Sequence, residues 1–334
     1  MKVEQKRTEI LDIMKGVAII LMILGHCIQH GSGKLYLTNA SYFNNPVFQF
    51  IYSFHMPLFM LVSGYVFFYS MNRHTFTDNI IKKIKQLLVP ILTYSIIDAI
   101  IYSIINKVPL LSAINIIDNI WFLWAVFYCS LVILFVNKFF KDHWIVYILI
   151  WLSLFFIKDI HNFHLYCFMY PYFILGYKFH QHNIASKVKD KINLILCIST
   201  ILFFILLIFY NYDSYIYTTK YYILKGNWLK YLSIDIYRTI IGFAGSISIS
   251  CLFYKISQRI KLKGLCIIGK YSLGIYIISN FLFIYLFPKI TIYINNINYL
   301  LIGIETILVL LLSLTITFII RKIKLLNILI LGGR

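Results

Sequence analysis

In the stretch DIMKGVAIILMILGHCIQH, residues 12–30, three ionisable residues lie on or inside a run otherwise suited to lipid: Asp12, Lys15 and His26. An Asp or Lys at the centre of a membrane helix costs roughly 2.5–3.5 kcal/mol on insertion scales, so such residues ask for a reason. Lys15 and His26 are 11 residues apart. On a helix that is close to three turns, which puts them on one face and roughly 16 Å apart along the axis. Asp12, three residues before Lys15, can neutralise it, and His30, four after His26, extends the stripe. An imidazole so placed can take and return a proton, and an ammonium can hold an anion.

A partner stands in FQFIYSFHMPLFMLVSGYVFF, residues 48–68. If this second apolar run returns across the membrane, His55 comes to the depth of His26, roughly 10 Å from the run's outer end. Pro57 removes a backbone donor beside His55 and predicts a kink there. Freed backbone at that depth is tolerated where it meets protein or a wet cavity. Ser63 and Gly64 allow close helix approach.

The elements that must position these residues are membrane helices. The chain of 334 residues is 60% apolar and only 13% charged, with 28 Phe and 27 Tyr, and its mean hydropathy is +0.81. The apolar residues fall in long runs rather than short alternations, and many Tyr and Trp flank those runs as interfacial anchors. Ten spans are expected, at about 10–29, 47–70, 86–106, 116–137, 143–158, 164–180, 192–210, 235–254, 265–287 and 298–320. The fifth and sixth are shorter than the roughly 20 residues a straight span needs. With the N-terminus cytoplasmic, inside segments carry 21 Lys and Arg and outside loops 7, which supports ten spans with both termini inside. The expected fold is thus an all-α polytopic membrane protein, a single transmembrane domain over residues 1–334. The net charge of +19 is then topology, with anionic lipid rather than nucleic acid as its partner. The six cysteines lack CxxC spacing and read as small buried hydrophobes. The first run reads as a span, not a cleavable signal: it is too long for an h-region and contains Lys15.

LDIMKGVAIILMILGH followed by FHMPLFMLVSGYVFF resembles the opening of the membrane-embedded acyltransferase family 3. That family shows a basic residue, ten others, then His in its first span, and Lys15 to His26 fits. It also shows a basic-x-x-basic element after the second span, which Lys82 and Lys85 of IIKKIKQLLVP fit. NIWFLWAVFY (119–128), YPYFILGYKF (170–179) and IGKYSLGIYII (268–278) resemble further family segments, so the likeness covers nearly the whole chain. The nearest style is that of fucose 4-O-acetylase-like sugar O-acetyltransferases. Two departures stand out. Lys15 occupies a place often held by Arg and cannot make the same bidentate fork. Ser279 and Asn280 follow the last motif where many members have His.

The resemblance implies transfer of an acyl group, by default acetyl, from cytoplasmic acetyl-CoA to a hydroxyl of an envelope glycan or lipid-linked saccharide. It also implies a multi-pass protein of the bacterial inner (plasma) membrane. A sugar hydroxyl is a poor nucleophile, so His26 is expected as general base, a covalent acyl-His being the alternative. His55 would orient it or help to stabilise the oxyanion. Lys15, with Lys82, Lys83 and Lys85, would hold the CoA phosphates; for the cluster the competing reading is positive-inside topology. Asp12, Ser63 and Trp121 are weaker substrate-side candidates, and no metal-ligand cluster appears. Asp235 and Arg238 are spaced to pair. Asp98, Asp118 and Glu305 are acids in apolar surroundings, Glu305 as a proton carrier or a partner for Lys270. The aromatic-rich segment 211–232 reads as an interfacial belt or a surface for sugar rings. A glycolipid transporter or flippase is the alternative from another class, since charge and Pro-broken helices occur there too.

Overall fold

The computed structural model describes residues 2–31, 40–115, 120–158, 163–218, 226–286 and 299–333, with side chains omitted for 2–8, 31, 40 and 41. Asp118, Lys34, Lys220, Lys225, Lys289 and residues 219–225 of the aromatic-rich segment lie outside the described residues.

The principal elements are α1 (Lys2–Gly31), α2 (Pro46–Met71), α3 (Phe76–Asn106), α4 (Trp121–Phe140), α5 (Trp144–Leu154), α6 (Phe163–Gln181), α7 (Ile192–Ile208), α8 (Trp228–Arg259), α9 (Lys263–Lys270), α10 (Ser272–Leu286), α11 (Tyr299–Lys322) and α12 (Lys324–Leu331). There is no strand among the described residues. Seven helices are long and apolar enough to cross a membrane, and an eighth span arises if α9 and α10, bent by 69° at Tyr271, are counted as one. The expected fifth span is reduced to the 11 residues of α5. The sixth, α6, is a 19-residue helix interrupted by polar residues and is not among those spans.

Lipid is the solvent that the outer helices require. On α7, Leu194, Ile198, Ile201, Ile205 and Ile208 are all at least half exposed. In water such a band would be a large apolar patch. Peripheral α7 contrasts with α1 and α2, whose apolar stretches are more than half buried among other helices.

Local sequence explains the starts and crossings that place α1 and α2 at the centre. Asn45 caps α2, its side chain accepting from the amides of Val47 and Phe48 at 2.8 and 3.2 Å, with Pro46 at the first turn where its missing N–H costs nothing. The helix continues through Pro57 as one element. α2 crosses α6 at a reciprocal glycine contact: Gly64 lies against the carbonyl of Phe173, and Gly176 against the carbonyl of Leu61. α1 crosses α9 in the same manner, Gly16 against the Leu265 carbonyl and Gly269 against the Asp12 carbonyl. A Cβ at any of the four positions would collide with backbone. Small residues thus let the main chains touch.

Candidate active site

The α1–α9 crossing delivers Lys270, at the end of α9, to the same cavity that Lys15 lines. This cavity has a volume of about 460 Å³. Five cations line it: Lys15 from α1, Lys82 and Lys83 from α3, Lys270 from α9 and Arg321 from α11. Asp12, 3.6 Å from the Lys15 ammonium, is the one carboxylate among the described lining residues. Lys83 is buried with its ammonium over the Phe67 ring at 4.6 Å, and Arg321 lies over Tyr271 at 4.8 Å. Lys82 donates to the His74 imidazole at 3.1 Å. Like charges drawn together beside an apolar core repel one another, and a polyanion relieves that repulsion. The break between α9 and α10 forms part of the wall, with Ser272 and Gly274 beyond it. Irregular backbone at membrane depth is placed where it borders a cavity.

Away from the cations the lining turns apolar: Ile19, Met22, Met56, Phe59, Phe122 and Leu123. Met22 is the last α1 residue in the wall, and His26 lies one turn beyond it on the same face. His26 itself does not line the cavity, nor does His55.

His26 is held by a polar network inside an aromatic cluster. Gln29 donates through Nε2 to the Tyr215 hydroxyl at 3.1 Å, while its Oε1 accepts from the Tyr52 hydroxyl at 2.9 Å. His26 Nδ1 is 2.9 Å from that same Oε1. With Oε1 facing it as an acceptor, Nδ1 carries the hydrogen and the lone pair falls on Nε2. Tyr52 stands between the two histidines, its ring centroid 6.4 Å from that of His26 and 4.8 Å from that of His55. The buried His55 donates through Nδ1 to the Ile51 carbonyl at 2.8 Å, which likewise leaves Nε2 as its basic nitrogen. Phe283 closes the other side, 5.2 Å from the rings of both His26 and His30.

The residues anticipated from the sequence therefore divide. Lys15, Asp12, Ser63 and Lys82 line the cavity, with the Ser63 hydroxyl turned to the Phe59 carbonyl at 2.8 Å. Lys85 does not: positions 82, 83, 86 and 87 form the stripe facing the cavity, which turns Lys85 to the exposed side. His26 and His55 are drawn to Tyr52, one turn beyond the cavity's apolar end. Trp121 lies at the rim of the aromatic cluster, donating to the Tyr217 hydroxyl at 3.0 Å.

Asp235 and Arg238 pair at 2.6 Å with both side chains buried, and the guanidinium lies over Phe168 at 4.7 Å. Asp98 accepts from Tyr285 at 2.7 Å. Glu305 is not placed to meet Lys270. Arg321, which shares the cavity with Lys270, is 16 residues further along α11, so Glu305 lies roughly 24 Å away along that helix. Arg321, Gln29 and Tyr52 are not among the residues the sequence points to, and Lys270 enters there only as a partner for Glu305. Gln29 had a local signal, its i+3 spacing from His26.

The sequence matches the acyltransferase 3 family, described as an acyltransferase domain, over residues 9–322. It is similar to nodulation protein NolL of Mesorhizobium japonicum, 33% identical over 123 residues, covering 35% of this chain and 32% of the relative. It is also similar to nodulation protein NolL of Sinorhizobium fredii, 34% identical over 122 residues, covering 34% of this chain and 32% of the relative. The matched part thus spans about a third of these curated relatives. No solved structure matches.

Proposed function

As a member of the acyltransferase 3 family, to which the chain belongs over residues 9–322, the protein is a membrane acyltransferase, and we propose that it moves an acetyl group from cytoplasmic acetyl-CoA to a hydroxyl of an envelope glycan or lipid-linked saccharide. The observation that carries this reading is the order of chemistry along one face of α1. The five-cation mouth comes first, then the apolar throat, then the imidazole of His26. A donor with phosphates at one end and an acyl thioester at the other fits that order.

In this reading Lys15, Lys82, Lys83, Lys270 and Arg321 hold the phosphates. His26 Nε2 takes the proton of the acceptor hydroxyl as its oxygen attacks the thioester carbon. His55, across Tyr52, donates to the developing oxyanion when protonated or orients the acceptor when neutral. The acceptor approaches from the opposite side over the aromatic cluster at Tyr215, Tyr217 and Trp121, whose ring faces suit a sugar. The basic mouth then faces the cytoplasm of a bacterium, with the chain crossing the inner membrane ten times. α5 and α6 supply the remaining two crossings, and the cytoplasmic lysines meet anionic lipid.

The test is transfer of radiolabelled acetyl from acetyl-CoA to envelope glycan in membranes carrying wild-type protein or His26→Ala at matched expression. The expected result is wild-type transfer that drops by at least about 10²-fold in the variant, the lower range for loss of a general base. Equal transfer by both would remove His26 from the chemistry.

A further inference from the structure

The buried ion pair on α8 has no part in the reading above. Asp235 and Arg238 are each at most 2% exposed, with their side chains 2.6 Å apart. Taking two charges out of water is costly, and apolar residues of similar volume often serve stability as well. Stability alone therefore does not account for the pair. What the guanidinium adds is a second arm. Nη2 meets Asp235, while Nη1 donates to the main-chain carbonyl of Tyr215 at 3.5 Å. That carbonyl also accepts from the amide and the hydroxyl of Thr218, at 3.0 and 2.8 Å, both from its own segment. Of these donors Arg238 alone belongs to a helix. Tyr215 is buried, its ring against Phe48 and Tyr52 of α2 with centroids 5.7 and 5.5 Å away. Its hydroxyl accepts from Gln29 Nε2 at 3.1 Å, and Gln29 Oε1 lies 2.9 Å from His26 Nδ1. A continuous set of contacts thus runs from Asp235 through Arg238, Tyr215 and Gln29 to His26.

We propose that Arg238 is a positioning residue for His26, fixing Tyr215 so that Gln29 holds the imidazole at its reacting angle. This rests on the reading of His26 as the base. Asp235 anchors one arm of the planar guanidinium, and the other arm is thereby aimed at Tyr215. Lys at this place could still pair with Asp235, three residues before it. Its single ammonium has no fork with which to bridge the carboxylate and the carbonyl. With Tyr215 released, Gln29 shifts and the imidazole turns, and a displacement of about 1 Å at a reacting group can cost on the order of 10²-fold in rate. The donor cations stand on the other side of His26 along α1, so donor binding is untouched.

The experiment measures acetyl transfer, acetyl-CoA binding and the midpoint of thermal unfolding in detergent. It compares wild type with Arg238→Lys, Arg238→Met, the double variant Asp235→Leu/Arg238→Met, and Tyr215→Phe. Arg238→Met strands the Asp235 carboxylate and is expected to lower the midpoint, which the double variant restores. In Arg238→Lys and in the double variant kcat is expected to stay about tenfold or more below wild type, with acetyl-CoA affinity unchanged. A pair that served the fold alone would give the reverse, the rate returning with the midpoint. That return, or wild-type kcat in Arg238→Lys, overturns the proposal and leaves the His26 reading intact. Weakened acetyl-CoA binding in these variants also overturns it, by assigning the pair to the donor site. Should the Arg238 variants fail to fold, Tyr215→Phe tests the same set of contacts by removing one hydroxyl from an intact ring. It is expected to lower kcat with the midpoint and the acetyl-CoA affinity unchanged, and a wild-type rate overturns the proposal. Wild-type protein that transfers no acetyl group removes the His26 reading and the proposal with it.

Discussion

At the scale of single residues, Gln29 connects the imidazole to the rest of the site. Its Oε1 fixes which nitrogen of His26 holds the hydrogen, and its Nε2 ties the pair to Tyr215. Replacing it with Leu takes the 2.9 Å acceptor from Nδ1, leaving the Tyr52 hydroxyl at 3.4 Å, at a cost of about 1–3 kcal/mol, and frees the ring to turn. Gln29→Leu is therefore expected to lower kcat by roughly tenfold or more with the KM for acetyl-CoA unchanged. Gln29→Glu, which still accepts from Nδ1, should recover part of the rate. A KM effect alone would assign Gln29 to donor binding instead. The cations give the opposite signature. Arg321→Ala or Lys270→Ala removes one charged contact, about 1.5–3 kcal/mol, and is expected to raise the KM for acetyl-CoA by roughly tenfold or more. Lys85→Ala, on the exposed side, should leave it unchanged in the same steady-state assay.

At the scale of elements, the site depends on how closely main chains approach. Gly64 and Gly176 meet backbone carbonyls across the α2–α6 crossing, so a methyl at either must push two helices apart. Gly64→Ala and Gly176→Ala are expected to destabilise by about 1–3 kcal/mol, seen as a lower midpoint of thermal unfolding in detergent. Gly303→Ala, with open space around it, is the control and should not lower the midpoint. The helices also account for what was legible in sequence. Lys15 and His26 share a helix, so the 3.6-residue period sufficed to align them. Lys85 falls outside the cavity lining, because spacing within a motif says nothing of which side of α3 faces inward. Lys270 and Arg321 are far along the chain, and only the approach of Gly269 to Asp12 and the packing of α11 bring them to Lys15. Tyr52 gave no signal among 27 tyrosines, most of which read equally well as interfacial anchors.

At the scale of the whole molecule, composition was enough for a helical membrane protein, since no amount of folding could hide so many apolar residues from water. The number of crossings was harder, because α5 is short and α6 carries polar residues along a buried helix. Their crossing makes a distinct prediction. In a cysteine-free background, Lys158→Cys, between α5 and α6, is expected to react with an impermeant thiol reagent added outside intact cells. Lys141→Cys and Lys187→Cys should react only after the cells are opened. Labelling of Lys158→Cys from the inside would leave α5 and α6 on the cytoplasmic face and reduce the crossings by two.

In the proposed reaction one helix links both ends: the cations around Lys15 bind the donor, and His26, about three turns further along α1, does the proton transfer. Donor binding and chemistry must then separate. The direct measurement is equilibrium binding of acetyl-CoA to purified wild-type protein and His26→Gln, set beside their turnover. The expected result is wild-type affinity with turnover reduced by about two orders of magnitude or more. A His26→Gln variant that no longer binds acetyl-CoA would put the imidazole in the donor site and contradict this division of labour.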